Sequence, residues 1–92
     1  MIKKKVTVKN SAGIHARPAA TLVKVATRFK SDFHIHMHGY CINGKSILGL
    51  LTLAAEQGAE LELELNGPDE KEAIASLVQL FDNGFKIDDQ ES

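Results

Sequence analysis

Ninety-two residues with 43% hydrophobic content and a net charge of −1 suit one globular domain with one core, and the single Cys41 excludes an internal disulfide and a cysteine-rich metal site. No basic cluster is backed by aromatic residues, so nucleic acid is not an expected partner. No apolar stretch approaches bilayer length, and Lys3-Lys4-Lys5 runs into alternating Val6-Thr7-Val8-Lys9 rather than a signal-peptide core, so a cytoplasmic protein without membrane insertion is expected.

Residues 2–9 alternate and predict a first strand. Residues 16–29 carry Ala19, Leu22, Ala26 and Phe29 at helical spacing, with Pro18 in the first turn, where its missing N–H costs little. Phe33 to His38 reads as a second strand, Gly39 as a turn, and residues 40–43 as a short third strand. Ser46 takes the cap position of a short apolar helix, Ile47-Leu48-Gly49-Leu50-Leu51. Glu60-Leu61-Glu62-Leu63-Glu64-Leu65 alternates strictly as a fourth strand, and Asn66-Gly67-Pro68 marks a turn. Asp69 and Glu72 have the spacing of a capping box at the start of a last helix, which presents Ile74, Leu77, Val78 and Phe81 on one face and ends at Asn83-Gly84. Residues 1–84 form the expected domain, and residues 85–92 read as a frayed acidic tail.

The order βαββαβα describes an α+β open-faced sandwich. Its antiparallel sheet needs helices over the face built by Val6, Val8, Phe33, Ile35, Leu61, Leu63 and Leu65, and leaves the other face wet.

The chemistry concentrates at Gly13-Ile14-His15-Ala16-Arg17-Pro18-Ala19, where a strand gives way to a helix. An imidazole, with a reference pKa of about 6.5, is a nucleophile near neutral pH without help from a base. The first backbone N–H groups of a helix lack intrahelical partners and, with the aligned peptide dipoles, form an anion site. Arg17 adds a fixed positive charge beside it. Taken alone, the same residues also fit a surface histidine and a solvated arginine. Ser46 likewise fits an ordinary N-cap, worth about 1 kcal/mol. So short a helix cannot bury Ile47, Leu48 and Leu51 together, and part of that apolar surface is expected to face a partner.

The stretches GIHARPA and NGKSILGLL, at this spacing and with no internal gap along the chain, resemble the HPr family, the histidine-containing phosphocarriers of the phosphoenolpyruvate-dependent phosphotransferase system. The resemblance implies a sheet of strand order 1-4-2-3 covered on one face by three helices. It implies that His15 takes a phosphoryl group from enzyme I on Nδ1 and passes it to a downstream enzyme IIA-type acceptor. Arg17 then assists at the phosphate, and the amides of Ala16 and Arg17 hold its oxygens. Ser46 matches the position that a regulatory HPr kinase/phosphorylase modifies in many members, creating a ligand for a regulatory protein. Ala20, Ile47, Leu48 and Leu51 match the docking patch. A monomeric carrier, not an enzyme by itself, without cofactor or metal, is what the family implies. Ala12 departs from it, since a small polar residue often organises the helix start there; Ser11, backbone groups or water must substitute. The segment around Ser46 also resembles the nitrogen-regulatory branch, so an HPr-like regulatory module outside sugar uptake is the alternative.

With that strand order, Glu60, Glu62 and Glu64 would lie between a row of Lys5, Thr7 and Lys9 and a row of His34, His36 and His38, with opposite charges facing across both seams. His34 and His36 could chelate a metal as a pair, about 6.6 Å apart along the strand. The outer histidines, about 13 Å apart by the same rise, cannot easily share an ion with it, and no metal site is expected.

Overall fold

The computed structural model describes residues 1–85. Its elements are β1 (Ile2–Thr7), α1 (Ala16–Ala26), β2 (Asp32–Met37), β3 (Tyr40–Asn43), α2 (Ile47–Leu53), β4 (Glu60–Asn66) and α3 (Glu70–Asp82). They form one four-stranded sheet in the order β1-β4-β2-β3, antiparallel throughout. This is the open-faced α+β arrangement the sequence predicts.

Alternation along the strands puts the dry residues on one side. Val6 pairs with Leu61, Ile2 with Leu65, and Phe33 and Ile35 with Leu65 and Leu63. Ala19, Leu22 and Ala26 of α1, Leu50 of α2, and Ala73, Leu77, Leu80 and Phe81 of α3 join them in one buried cluster. Leu22, Ile35, Leu50, Leu63, Leu77 and Phe81 are wholly inaccessible, so truncating any of the leucines to alanine costs about 2–5 kcal/mol.

Three local expectations are corrected. Helix α1 stops at Ala26 instead of running to Phe29: Arg28 N donates to Val25 O and Phe29 N to Ala26 O, a tighter final turn, while Phe29 still packs against the core. The Asp69–Glu72 capping box does not form. Asp69 turns away from its own helix and accepts from Lys30 N at 2.8 Å, Ser31 N at 3.0 Å and Ser31 Oγ at 2.5 Å. A buried Ser31 has no water to bond, and the aspartate satisfies it. Glu70 serves the turn instead, accepting from Gly67 N at 3.0 Å.

The third correction lies at the other end of α3. Gly84 N bonds to Phe81 O and Phe85 N to Leu80 O, the paired bonds of a Schellman ending, with Gly84 at φ 68°. This returns Phe85 to the core, where its ring meets Phe81 edge-on at 4.8 Å. Phe85, read as the first tail residue, is therefore packed. Residues 86–92, the rest of that tail, lie outside the described residues.

Candidate functional site

The loop before α1 is held by backbone geometry that only glycine permits. Gly13 has φ +73°, and a Cβ there would lie 2.4 Å from Ala55 O and 2.9 Å from Glu56 Cα. The close approach lets Ile14 N donate to Ala55 O at 2.9 Å, tying the loop to the chain that follows α2. Ile14, Pro18 and Ala19 are buried and anchor the helix start, while His15, Ala16 and Arg17 between them are exposed.

His15 is the N-cap of α1 and makes no side-chain capping bond. Its carbonyl accepts from Ala19 N at 2.9 Å, Pro18 has no N–H, and the Ala16 and Arg17 amides have no hydrogen-bond partner among the described residues. Those two donors and the positive end of the helix dipole therefore stand next to the imidazole. Arg17 has no ion-pair partner among the described residues. A cleft of about 220 Å³ opens here, walled by His15, Arg17, Asn10, Thr21, Gly84 and Phe85. Asn10 was not singled out by any sequence motif. Its Nδ2 bonds Gly13 O at 2.5 Å, a contact visible only once the turn is folded.

Helix α2 packs beside α1. Ser46 caps it, its Oγ accepting from Gly49 N at 3.0 Å, and Lys45 reaches back to donate from Nζ to Phe29 O at 2.8 Å. Seven residues bury only Leu50 fully, leaving Leu48 73%, Ile47 42% and Leu51 39% exposed. Ala20 of α1 is exposed as well.

The wet face carries the charge ladder in a shifted register. Strand β1 ends at Thr7, so the row beside β4 is Lys3, Lys5 and Thr7, opposite Glu64, Glu62 and Glu60. Lys9 lies beyond the strand and pairs with Asp82 at 3.7 Å. On the other seam His34 and His36 oppose Glu64 and Glu62, while His38 sits in the turn at φ 51°. His36 Nε2 meets Glu64 Oε1 diagonally at 2.7 Å, and this bond holds the Glu64 carboxyl below its ordinary pKa. Among the described residues no group of three or more potential ligands could hold a metal ion.

Known proteins are similar to this chain in sequence and fold. The family model "PTS HPr component phosphorylation site" matches residues 2–83. The chain belongs to the HPr family. It is 45% identical over 86 residues to the phosphocarrier protein HPr of Treponema pallidum, covering 94% of this chain and 98% of that one. A crystal structure of HPr-C-His from Thermoanaerobacter tengcongensis superposes with a TM-score of 0.89 at 39% identity, covering 92% of this chain and 96% of that one. An HPr dimer from the same organism superposes with a TM-score of 0.75 at 38% identity, covering 95% and 100%. No helix among the described residues of this HPr family member is long and apolar enough to cross a membrane.

Proposed function

We propose that this HPr family member is a phosphocarrier of the phosphotransferase system, with His15 as the relay between enzyme I and an enzyme IIA-type acceptor. The observation that carries the reading is the exposed imidazole beside two helix amides and an arginine that have no partner among the described residues. In the first transfer the Nδ1 lone pair attacks phosphorus in line. The N–P bond forms as the bond to the donor atom of enzyme I breaks, and the donor keeps that electron pair. In the second transfer the N–P bond breaks, the imidazole leaves with the electrons, and the acceptor's nucleophile takes the phosphoryl group. Arg17 and the Ala16 and Arg17 amides neutralise the phosphoryl oxygens without having to reorganise. Activation of the donor belongs to the partner, so the chain is a carrier rather than an enzyme on its own, needs no cofactor, and works in the cytoplasm.

Ala20, Ile47, Leu48 and Leu51 form the surface on which partners dock. Ser46 is the regulatory position: phosphate there sits on the α2 N-terminus and adds charge inside the docking surface, lowering transfer from enzyme I and creating a ligand for a regulatory protein. The carrier acts as a monomer, which light scattering checks directly against the dimeric arrangement known from Thermoanaerobacter tengcongensis.

Intact mass after incubation with phosphoenolpyruvate, Mg²⁺ and enzyme I tests the reading. An acid-labile phosphoryl adduct on the wild type, absent from His15→Ala, is expected. A wild type that stays unmodified with enzyme I of its own organism removes the carrier function and favours an HPr-like regulatory module.

A further inference from the structure

We propose that Asn10 is a positioning residue for the phosphoryl acceptor, fixing the turn that sets His15 and the Ala16 and Arg17 amides in place; this rests on the carrier function proposed above. Asn10 is partly buried and walls the same cleft as His15 and Arg17. Its carbonyl accepts from Gly13 N at 3.1 Å, and its Nδ2 donates to Gly13 O at 2.5 Å. These bonds close the turn over residues 10–13 from both sides, and Gly13 is pressed against Ala55 behind it. His15 follows two residues later and inherits its placement.

The choice of acceptor matters. Gly13 O is the carbonyl that a helix extended backwards would offer to Arg17 N, four residues on. Gly13 at φ 73° and His15 in extended backbone turn the chain out of the helix, so α1 starts at Ala16, and the Nδ2 bond to Gly13 O holds that turn closed beside the Arg17 amide. Asn10 Oδ1 is buried and has no hydrogen-bond partner among the described residues. Turning the carboxamide over would set its oxygen against Gly13 O, acceptor to acceptor, so the orientation is forced. Ala12, inside the same turn, is exposed and has no polar side chain, so the side-chain bond that closes the turn comes from Asn10.

The test measures kcat and KM of the carrier in enzyme I-dependent transfer from phosphoenolpyruvate, at a temperature where amide spectra show every variant folded. Asn10→Ala should lower kcat about tenfold, the scale expected for a displaced acceptor, with KM within about twofold because the docking surface is untouched. Asn10→Asp keeps the side-chain volume and the main-chain bond but loses the donor, and should show the same loss. A fall in kcat at unchanged KM is the readout a purely structural role would not give, since general loosening of the fold would weaken docking as well. Wild-type kcat in both single variants overturns the inference while the carrier function stands. Failure of the wild type to accept phosphate, with His15→Ala as the blank, overturns the carrier function instead.

Discussion

At the start of α3, the carboxylates of Asp69 and Glu70 accept five hydrogen bonds, from Lys30, Ser31, Gly67 and the chain's own N-terminus. At the start of α1, His15 makes no side-chain capping bond and the next two amides have no partner among the described residues. Both helices bury an apolar face in the same core. They differ in where the donors and acceptors of the region go: at α3 the carboxylates tie distant loops together, and at α1 two amides beside the proposed acceptor His15 stay unbonded among the described residues. On the proposed function, stability and phosphoryl transfer belong to different helix ends, and substitutions at one should leave the other's property intact.

The largest effect expected from that separation is at Asp69. Asp69→Ala strands Ser31, which is fully buried, and unties the loop between α1 and β2 from α3. The melting temperature should fall by on the order of 10 °C. Phosphoryl acceptance, measured well below the new midpoint, should stay at the wild-type rate. A melting temperature within a degree of wild type would show that the α3 knot is not where stability resides, and a lost transfer rate would show that the two ends are coupled.

Leu48→Glu probes the opposite side of the comparison. Leu48 is 73% exposed, so its replacement should move stability by no more than about 0.5 kcal/mol. It places a charge between the exposed Ile47 and Leu51 on the proposed docking surface and should raise KM for enzyme I by about tenfold or more, the weight of a central interface contact. An unchanged KM would take the docking surface off α2.

Ser46→Asp should be milder still. Aspartate replaces serine as a cap acceptor with little loss, whereas Ser46→Ala forfeits about 1 kcal/mol. The added charge should nonetheless slow transfer from enzyme I, by less than Leu48→Glu because it sits at the helix end. Transfer as fast as wild type would argue against control through this position.

How far these elements could be read in the sequence follows from the range of the interactions involved. The strict alternation from Glu60 to Leu65 fixes a half-buried strand on its own, because period 2 needs no knowledge of the neighbour. His15 and the following helix were legible for the same local reason, with Pro18 marking the first turn. Asp69 misleads because a capping box and a tie to Ser31 use the same residue, and nothing local says that a partner 38 residues away competes for it. The lysine row lies one pair away from its expected place because alternation gives a face, while the register against β4 comes from where β1 ends. Asn10 carries no signal in the sequence, since an asparagine in a turn is commonplace; its bond to Gly13 O acquires meaning only from the cleft around it.

The smallest expected effect is electrostatic and lies away from both helix ends, on the wet face of the sheet. The hydrogen bond from His36 holds the Glu64 carboxyl below its ordinary pKa, and nearby His36, Lys3 and His34 act in the same direction. A carboxyl whose folded pKa lies below its unfolded value contributes stability at pH above the unfolded value, about 4.3 for glutamate, and loses it as pH falls through the folded one. The partners remain a third and a fifth exposed, at 34% and 19%, so solvent screens the gain. Glu64→Gln should therefore be slightly less stable than wild type at pH 6, and the gap should close as denaturation is repeated towards pH 3. Asp69 and Glu70, also lowered by the hydrogen bonds they accept, keep their own acid sensitivity in both proteins and cancel from the difference. A gap that stays constant across the range would mean that Glu64 contributes through packing on the sheet rather than through its charge.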